Sequence, residues 1–234
     1  MKTIITISIL LLASMGLPAQ VRHIKPSNVY PIQDFSTEQY NRLQQAMNTR
    51  KLTVKEQKLV QKMEENLIFE EFYSGMCNWY CGGIVDTITA SSALPPSQSH
   101  TYTAGNAHDF DHETAWVEGA SGEGVGEWLR YEFGGGCPRI TTVKIMNGYV
   151  KSEKAWRDNG RVKSLLLYYN EKPYAILDLV DSRSLQCFDV GTLGFHDENA
   201  PRWSLKFEIR EVYPGKRYND TAITELYFDG IDVH

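Results

Sequence analysis

The chain has 234 residues, 42% of them hydrophobic, with a formal charge of −5 at pH 7. An acidic balance without any basic block excludes nucleic acid and anionic membrane as expected partners. No apolar stretch is long enough to span a bilayer, so no transmembrane segment is expected.

The first residues, "MKTIITISILLLASMGLPAQ", place one cation at Lys2 before an apolar run from Ile4 to Leu12 and small residues near Ala19. This pattern predicts a secretory signal at 1–19, cut after Ala19, and hence a secreted or periplasmic protein of bacterial type. Removal takes away one Lys and no acid, moving the formal charge from −5 to −6. No Cys stands at the cut site, which argues against a lipid anchor. Export changes the expectation for Cys77, Cys81, Cys137 and Cys187, which would meet an oxidising compartment. Two disulfides are expected, with three possible connectivities; the pairing Cys77–Cys81 with Cys137–Cys187 is preferred. Zinc is disfavoured, because "CNWYC" has no second closely spaced Cys or His pair.

Residues 21–35, with Pro26 and Pro31, read as an irregular leader. Ser36 with Gln39 forms one capping-box signature, before an apolar stripe of Tyr40, Leu43 and Met47. Thr53 with Glu56 forms another, before Leu59, Met63 and Leu67. Two short antiparallel helices, 37–48 and 54–68, are therefore expected within a 20–68 segment. From 69 to 234 the period alternates. "EWLRYEF" puts Leu129, Tyr131 and Phe133 on one face, and "RWSLKFEIR" does the same with Trp203, Leu205, Phe207 and Ile209. "ITTVKI", "RVKSLLLYY", "YAILDLV" and "TAITELYF" add strands with no helical spacers between them. The expected fold is mainly β, a jelly-roll β-sandwich with a short N-terminal helical segment.

Within "NAHDFDHETAW", Asp109, Asp111 and Thr114 crowd oxygen donors into one loop. Such a set suits a hard cation such as calcium; it equally suits Asx turns in an ordinary connection. The following "VEGASGEGVGEW" resembles a phosphate cradle only superficially, since an alternating strand and not a helix comes next. Its Glu118, Glu123 and Glu127, with Asp109 and Asp111, provide the carboxylates that a glycoside hydrolase would need, which keeps that enzyme class as the alternative function.

Two later loops are richer than a turn demands. "NGYVKSEKAWRDNGRVK" holds Asn147, Tyr149, Lys151, Asn159 and Arg161, and "YPGKRYND" holds Tyr213, Lys216, Tyr218 and Asp220. Loops at one end of a sandwich gather into one surface, where aromatic faces stack on sugars and polar groups bind hydroxyls. These nine residues are the expected glycan site, 147–163 forming one wall and 213–220 the other. The competing reading makes Tyr149 and Tyr213 corner residues that pack the rim of the core.

The motifs "WYCGG" at 79, "ASSAL" at 90, "NAHDFD" at 106, "TAWVEG" at 114, "GEGVGEW" at 122, "NGYVK" at 147, "NGRVK" at 159, "LQCF" at 185 and "YPGKRYNDTAITEL" at 213 occur together. As an ordered set they resemble the NADase-type glycan-binding domain, a discoidin-like, galactose-binding-like β-sandwich also found beside the catalytic domain of secreted streptococcal NAD glycohydrolases. The resemblance covers roughly Cys77 to Phe228. It implies an exported sugar-binding protein that is not itself a catalyst, with a cell-surface protein-binding module as a further alternative. It also implies a structural Ca2+ on Asp109, Asp111 and Thr114, completed by Glu225.

Overall fold

The computed structural model describes residues 21–32, 37–62, 78–97 and 100–232. The signal expected at 1–19, the Ser36–Gln39 capping box, helical residues 63–68 and Cys77 lie outside the described residues.

The first described segment departs from the expectation of an irregular leader. Strand β1 (Arg22–Ile24) pairs parallel with β8 (Lys172–Asp178), and β2 (Asn28–Pro31) pairs antiparallel with β9 (Ser184–Leu193). A strand of three or four residues carries too little periodicity to declare itself. These two are held instead by partners some 150 positions away, and Arg22 donates to the Tyr174 hydroxyl (2.7 Å) and the Val190 carbonyl. Helix α1 (Thr37–Thr49) follows. Helix α2, described over 54–62, opens with the expected capping box: the Glu56 amide donates to Thr53 Oγ1 (3.3 Å) and the Thr53 amide to Glu56 Oε2 (2.9 Å).

The remaining strands are β3 (Thr87–Ala90), β4 (Trp116–Val117), β5 (Trp128–Phe133), β6 (Ile140–Asn147), β7 (Gly160–Tyr169), β10 (Trp203–Tyr213) and β11 (Thr221–Gly230). One layer runs β2-β9-β6-β11, with β4 beside β11. The other runs β1-β8-β7-β10-β5-β3. The layers join where β11 lies parallel to β7 at Thr221–Gly160 and Ala222–Arg161. Their apolar faces enclose the core. Leu129, Tyr131 and Phe133 of β5 and Trp203, Leu205, Phe207 and Ile209 of β10 are all buried, as the alternation predicts. Strand β11 is buried at every position from Thr221 to Phe228, because loops cover its outer face while the core covers the inner one. The result is the β-sandwich the sequence predicts, with the N-terminal strands added to one edge of each layer.

The preferred Cys137–Cys187 disulfide is not formed, and both thiols are free. Cys187 packs with Met146, Leu185 and Tyr227 on the outer side of one layer, where burial pushes its pKa up to about 11. Cys137 sits in the turn after β5 against the main core, its Sγ 3.3 Å from the Ile84 carbonyl. Different surroundings and opposite sides of a sheet keep the two sulfurs from the geometry a disulfide requires. Alkylation of the unfolded, unreduced protein is accordingly expected to label both; protection of both would contradict this placement.

Candidate functional site

The Asn147-Gly148 turn ends β6 and directs the chain into a helix, α3 (Glu153–Asp158), that lay hidden within the decorated loop. Ser152 caps it by accepting from the Ala155 amide (3.1 Å), and Arg157 pairs with Glu153 at i,i+4 (2.7 Å). Gly148 has φ +82°, and a Cβ there would stand 2.6 Å from Arg161 Cγ, so the turn admits glycine alone. Three of the nine residues expected to bind sugar are used up in holding this structure. Asn147 is fully buried, its amide donating to the Val162 carbonyl (2.7 Å) and accepting from the Val162 amide (2.8 Å). Arg161, also buried, makes a two-pronged pair with Asp181 (3.0 Å each), donates to the carbonyls of Asn159 and Pro214 (3.1 Å each) and lies 4.7 Å from the Trp156 ring. Tyr213 donates to the Leu179 carbonyl (3.1 Å). All three are corrections to the sequence expectation, because their polar groups are already satisfied inside the fold.

The two loops are also not opposing walls. The amides of Arg217 and Tyr218 donate to the Asp158 carbonyl (3.1 and 2.8 Å), and the Lys216 amide donates to the Arg157 carbonyl (2.9 Å). The 214–220 turn therefore hangs from the C-terminus of α3 as part of the same wall. Beside it lies a groove of about 490 Å³, within the usual range for small-ligand sites. Five of the nine expected residues line it: Tyr149, Lys151, Asn159, Tyr218 and Asp220; Lys216 does not. The rest of its lining was missed, and comes from Leu94, Ser97, Tyr102, Val117, Ser152, Lys154, Ala155 and Asp158. The segment around 95–103 carries no periodic signal.

Within the groove the chemistry is uneven. Leu94, Val117 and Ala155 pack with Tyr149 into an apolar floor. Tyr149 is 6% exposed and offers no stacking face: Lys151 Nζ lies 4.4 Å from its ring centre and 3.3 Å from its hydroxyl. Tyr218 is 42% exposed, with the Arg217 guanidinium over its ring 5.1 Å from the centre. Lys154 is paired with Asp158. Among the described residues Lys151 has no carboxylate partner, and the Asp220 carboxylate has neither hydrogen bond nor ion pair, although the Asp220 backbone carbonyl accepts from the Gly160 amide (2.9 Å). The Asp220 carboxylate, and the Lys151 donors not given to the Tyr149 hydroxyl, are left for a ligand.

The acidic loop lies close by. Asp109 accepts from the Asp111 amide (3.0 Å) and the Thr114 hydroxyl (2.8 Å), and Asp111 from the Glu113 amide (2.9 Å), so the Asx-turn reading describes these two acids as they stand. Among the described residues no three His, Cys, Asp or Glu side chains converge as a ready-made metal centre. Glu225 is the exception that turns alone cannot explain. It is fully buried, neither carboxylate oxygen has a hydrogen-bond partner, and burial, with Asp109 adding to it, pushes its pKa up to about 10. A buried carboxylate without a donor is costly, and oxygen ligands beside two further acids suit a divalent cation. Of the other candidate acids, Glu118 accepts from the amides of Thr221 (3.0 Å) and Ala120 (2.8 Å), Glu127 accepts from the hydroxyls of Ser91 and Ser92, and Glu123 is exposed.

The family model described as the NAD glycohydrolase translocation F5/8 type C domain matches residues 79–229. No curated protein matches the chain. Among solved structures, the CBM32-1 and CBM32-2 domains of Clostridium perfringens ZmpB in complex with GalNAc align over 63% of this chain and 33% of theirs, with 13% identity and a TM-score of 0.45. The C. perfringens module CpGH89CBM32-5, in complex with GalNAc-beta-1,3-galactose, aligns over 62% of this chain and 94% of its own, with 15% identity and a TM-score of 0.45. The arabinofuranosyltransferase AftD from Mycobacteria aligns over 63% and 10%, with 19% identity and a TM-score of 0.42. The chain thus spans about a third of the length of the first of these.

Proposed function

The chain belongs to the NAD glycohydrolase translocation F5/8 type C domain family, and from that premise we propose that it is an exported, non-catalytic carbohydrate-binding protein whose site is the groove beside α3. The observation that carries this reading is the juxtaposition, in one groove with an apolar floor, of a cation without a carboxylate partner, Lys151, a carboxylate without an ion pair, Asp220, and the partly exposed ring of Tyr218. A saccharide presents the complement of that surface: an apolar C–H face for Tyr218 and the floor, and hydroxyls that donate to Asp220 and accept from Lys151. Asn159 Oδ1 adds an acceptor, since its amide nitrogen already donates to the Ala155 carbonyl (2.8 Å). The secretory pattern of residues 1–19 supports the exported part of the reading.

Asp109, Asp111, Thr114 and Glu225 are proposed to hold a structural calcium ion. The orphaned carboxylate of Glu225 supports that assignment. Bound there, the ion would supply the positive charge that Glu225 lacks. The chain's own part is to bring the 109–114 loop over β11 and keep Glu225 dry.

The experiment is a glycan array probed with the signal-free chain in calcium, with the same glycans assayed for cleavage. Retention of a defined glycan class without turnover is expected. Cleavage abolished by Asp220→Asn would replace this reading with a glycosidase. Silence on the array would overturn it.

A further inference from the structure

Two hydrogen-bond routes, one from the acidic loop and one from β11 beside Glu225, converge on the groove floor around Tyr149. On the first, the Tyr149 hydroxyl donates to the carbonyl of Glu113 (3.1 Å), which stands between Asp111 and Thr114. On the second, the Thr224 hydroxyl donates to the Gly148 carbonyl (2.7 Å) and accepts from the Val150 amide (3.0 Å), and Thr224 directly precedes Glu225. The phenol of Tyr149 and the residues on either side of it are therefore gripped by neighbours of the acidic side chains. Tyr149 in turn seats Lys151, whose Nζ lies over its ring and against its hydroxyl.

Resting on the calcium and groove readings above, we propose that Tyr149 is a positioning residue that transmits occupancy of the cation site to Lys151, so that calcium sets the groove for its ligand. Drawing Asp109, Asp111 and Glu225 onto one ion fixes the Glu113 carbonyl and the Thr224 hydroxyl together. The carbonyl then holds the Tyr149 phenol and the hydroxyl holds the backbone on either side of it, so that Tyr149 keeps a single pose, and Lys151 with it. Such linkage is reciprocal, so a groove ligand tightens the cation site by the same factor that the cation tightens the groove.

The test uses the signal-free protein with calcium alone as the probe. Three readouts are taken in wild type and in Tyr149→Phe: the melting midpoint, the exchange rate of the Val150 amide, and the side-chain resonances of Lys151 in a lysine-labelled sample. In wild type, calcium is expected to raise the midpoint, slow Val150 exchange by about tenfold or more and shift the Lys151 resonances. In Tyr149→Phe, which keeps the ring and loses the hydroxyl, calcium should still raise the midpoint and slow Val150, whereas the Lys151 shift should be lost. A calcium-raised midpoint with a silent Lys151 in wild type, or an equal Lys151 shift in Tyr149→Phe, overturns the coupling and leaves the calcium reading standing. A midpoint indifferent to calcium in both proteins overturns the calcium reading and the coupling with it.

Discussion

In chelator, the melting midpoint of the signal-free protein is expected to fall as the pH is raised from about 5 to about 9, and calcium is expected to flatten that fall. The sign follows from Glu225. Its folded pKa stands at about 10, against an ordinary value of 4.5, because burial, and after it the neighbouring Asp109, disfavours the ionised carboxyl. Between those values the folded chain holds a proton that the unfolded chain has released. Stability is thus fully retained below the ordinary value and is lost as the pH climbs towards the folded one, by up to about 1.4 kcal/mol per pH unit for a single proton. A bound dication takes the place of the proton and removes the slope. It also adds about 2.7 kcal/mol at a hundredfold excess over its dissociation constant. Burial raises the pKa of Glu118 as well, so the attribution needs Glu225→Gln, which should remove most of the slope in chelator and most of the calcium response. Parallel pH profiles of Glu225→Gln and wild type would show the slope to arise elsewhere.

Asn147→Ala is expected to destabilise the protein by about 3 kcal/mol, since it strands the buried Val162 amide and carbonyl together and each unsatisfied group costs about 1–3 kcal/mol. Arg161→Ala should cost about 2 kcal/mol, less than a fully buried pair, because Asp181 is partly open to water. It also removes the cation lying against Trp156 and the donor to the Pro214 carbonyl, so the 214–220 turn should loosen with it. Thermal melts of the two variants measure this directly. A wild-type melt for Asn147→Ala, accompanied by loss of glycan binding, would return that residue to the ligand site.

How much of this was legible in the sequence depended on whether a residue's role is local. The alternation in "EWLRYEF" and "RWSLKFEIR" marks strands with one face in the core, and in each strand that face is buried as read. Strand β11 gives no alternation because both its faces are covered. The β1 and β2 strands could not be seen, since their pairing is decided by distant edges and not by their own residues. Helix α3 carries a local signature, Ser152 as a cap and Glu153 with Arg157 at helical spacing, but six residues are too few for it to stand out from the polar and aromatic residues around it. The same excess of polar and aromatic groups explains why Asn147, Arg161 and Tyr213 were assigned to sugar. A loop of that length needs internal hydrogen bonds to hold one shape, and sequence does not separate groups spent on the loop from groups left for a ligand. Lys151, Tyr218 and Asp220 are the ones left over. Glu225 was reached only through resemblance, since nothing in "TAITELYF" distinguishes it from an ordinary outward-facing acid.

The most direct test of the groove as the site is to titrate a glycan retained on the array into wild type, Lys151→Ala and Asp220→Asn, in calcium, with melting curves taken alongside. Each substitution removes a charge-assisted hydrogen bond and should weaken binding by about tenfold or more. Neither residue has an ion-pair partner to strand, so the melting midpoints should stay within about 2 °C of wild type. Both variants binding the glycan as tightly as wild type does, with unchanged melts, would place the site elsewhere on the molecule.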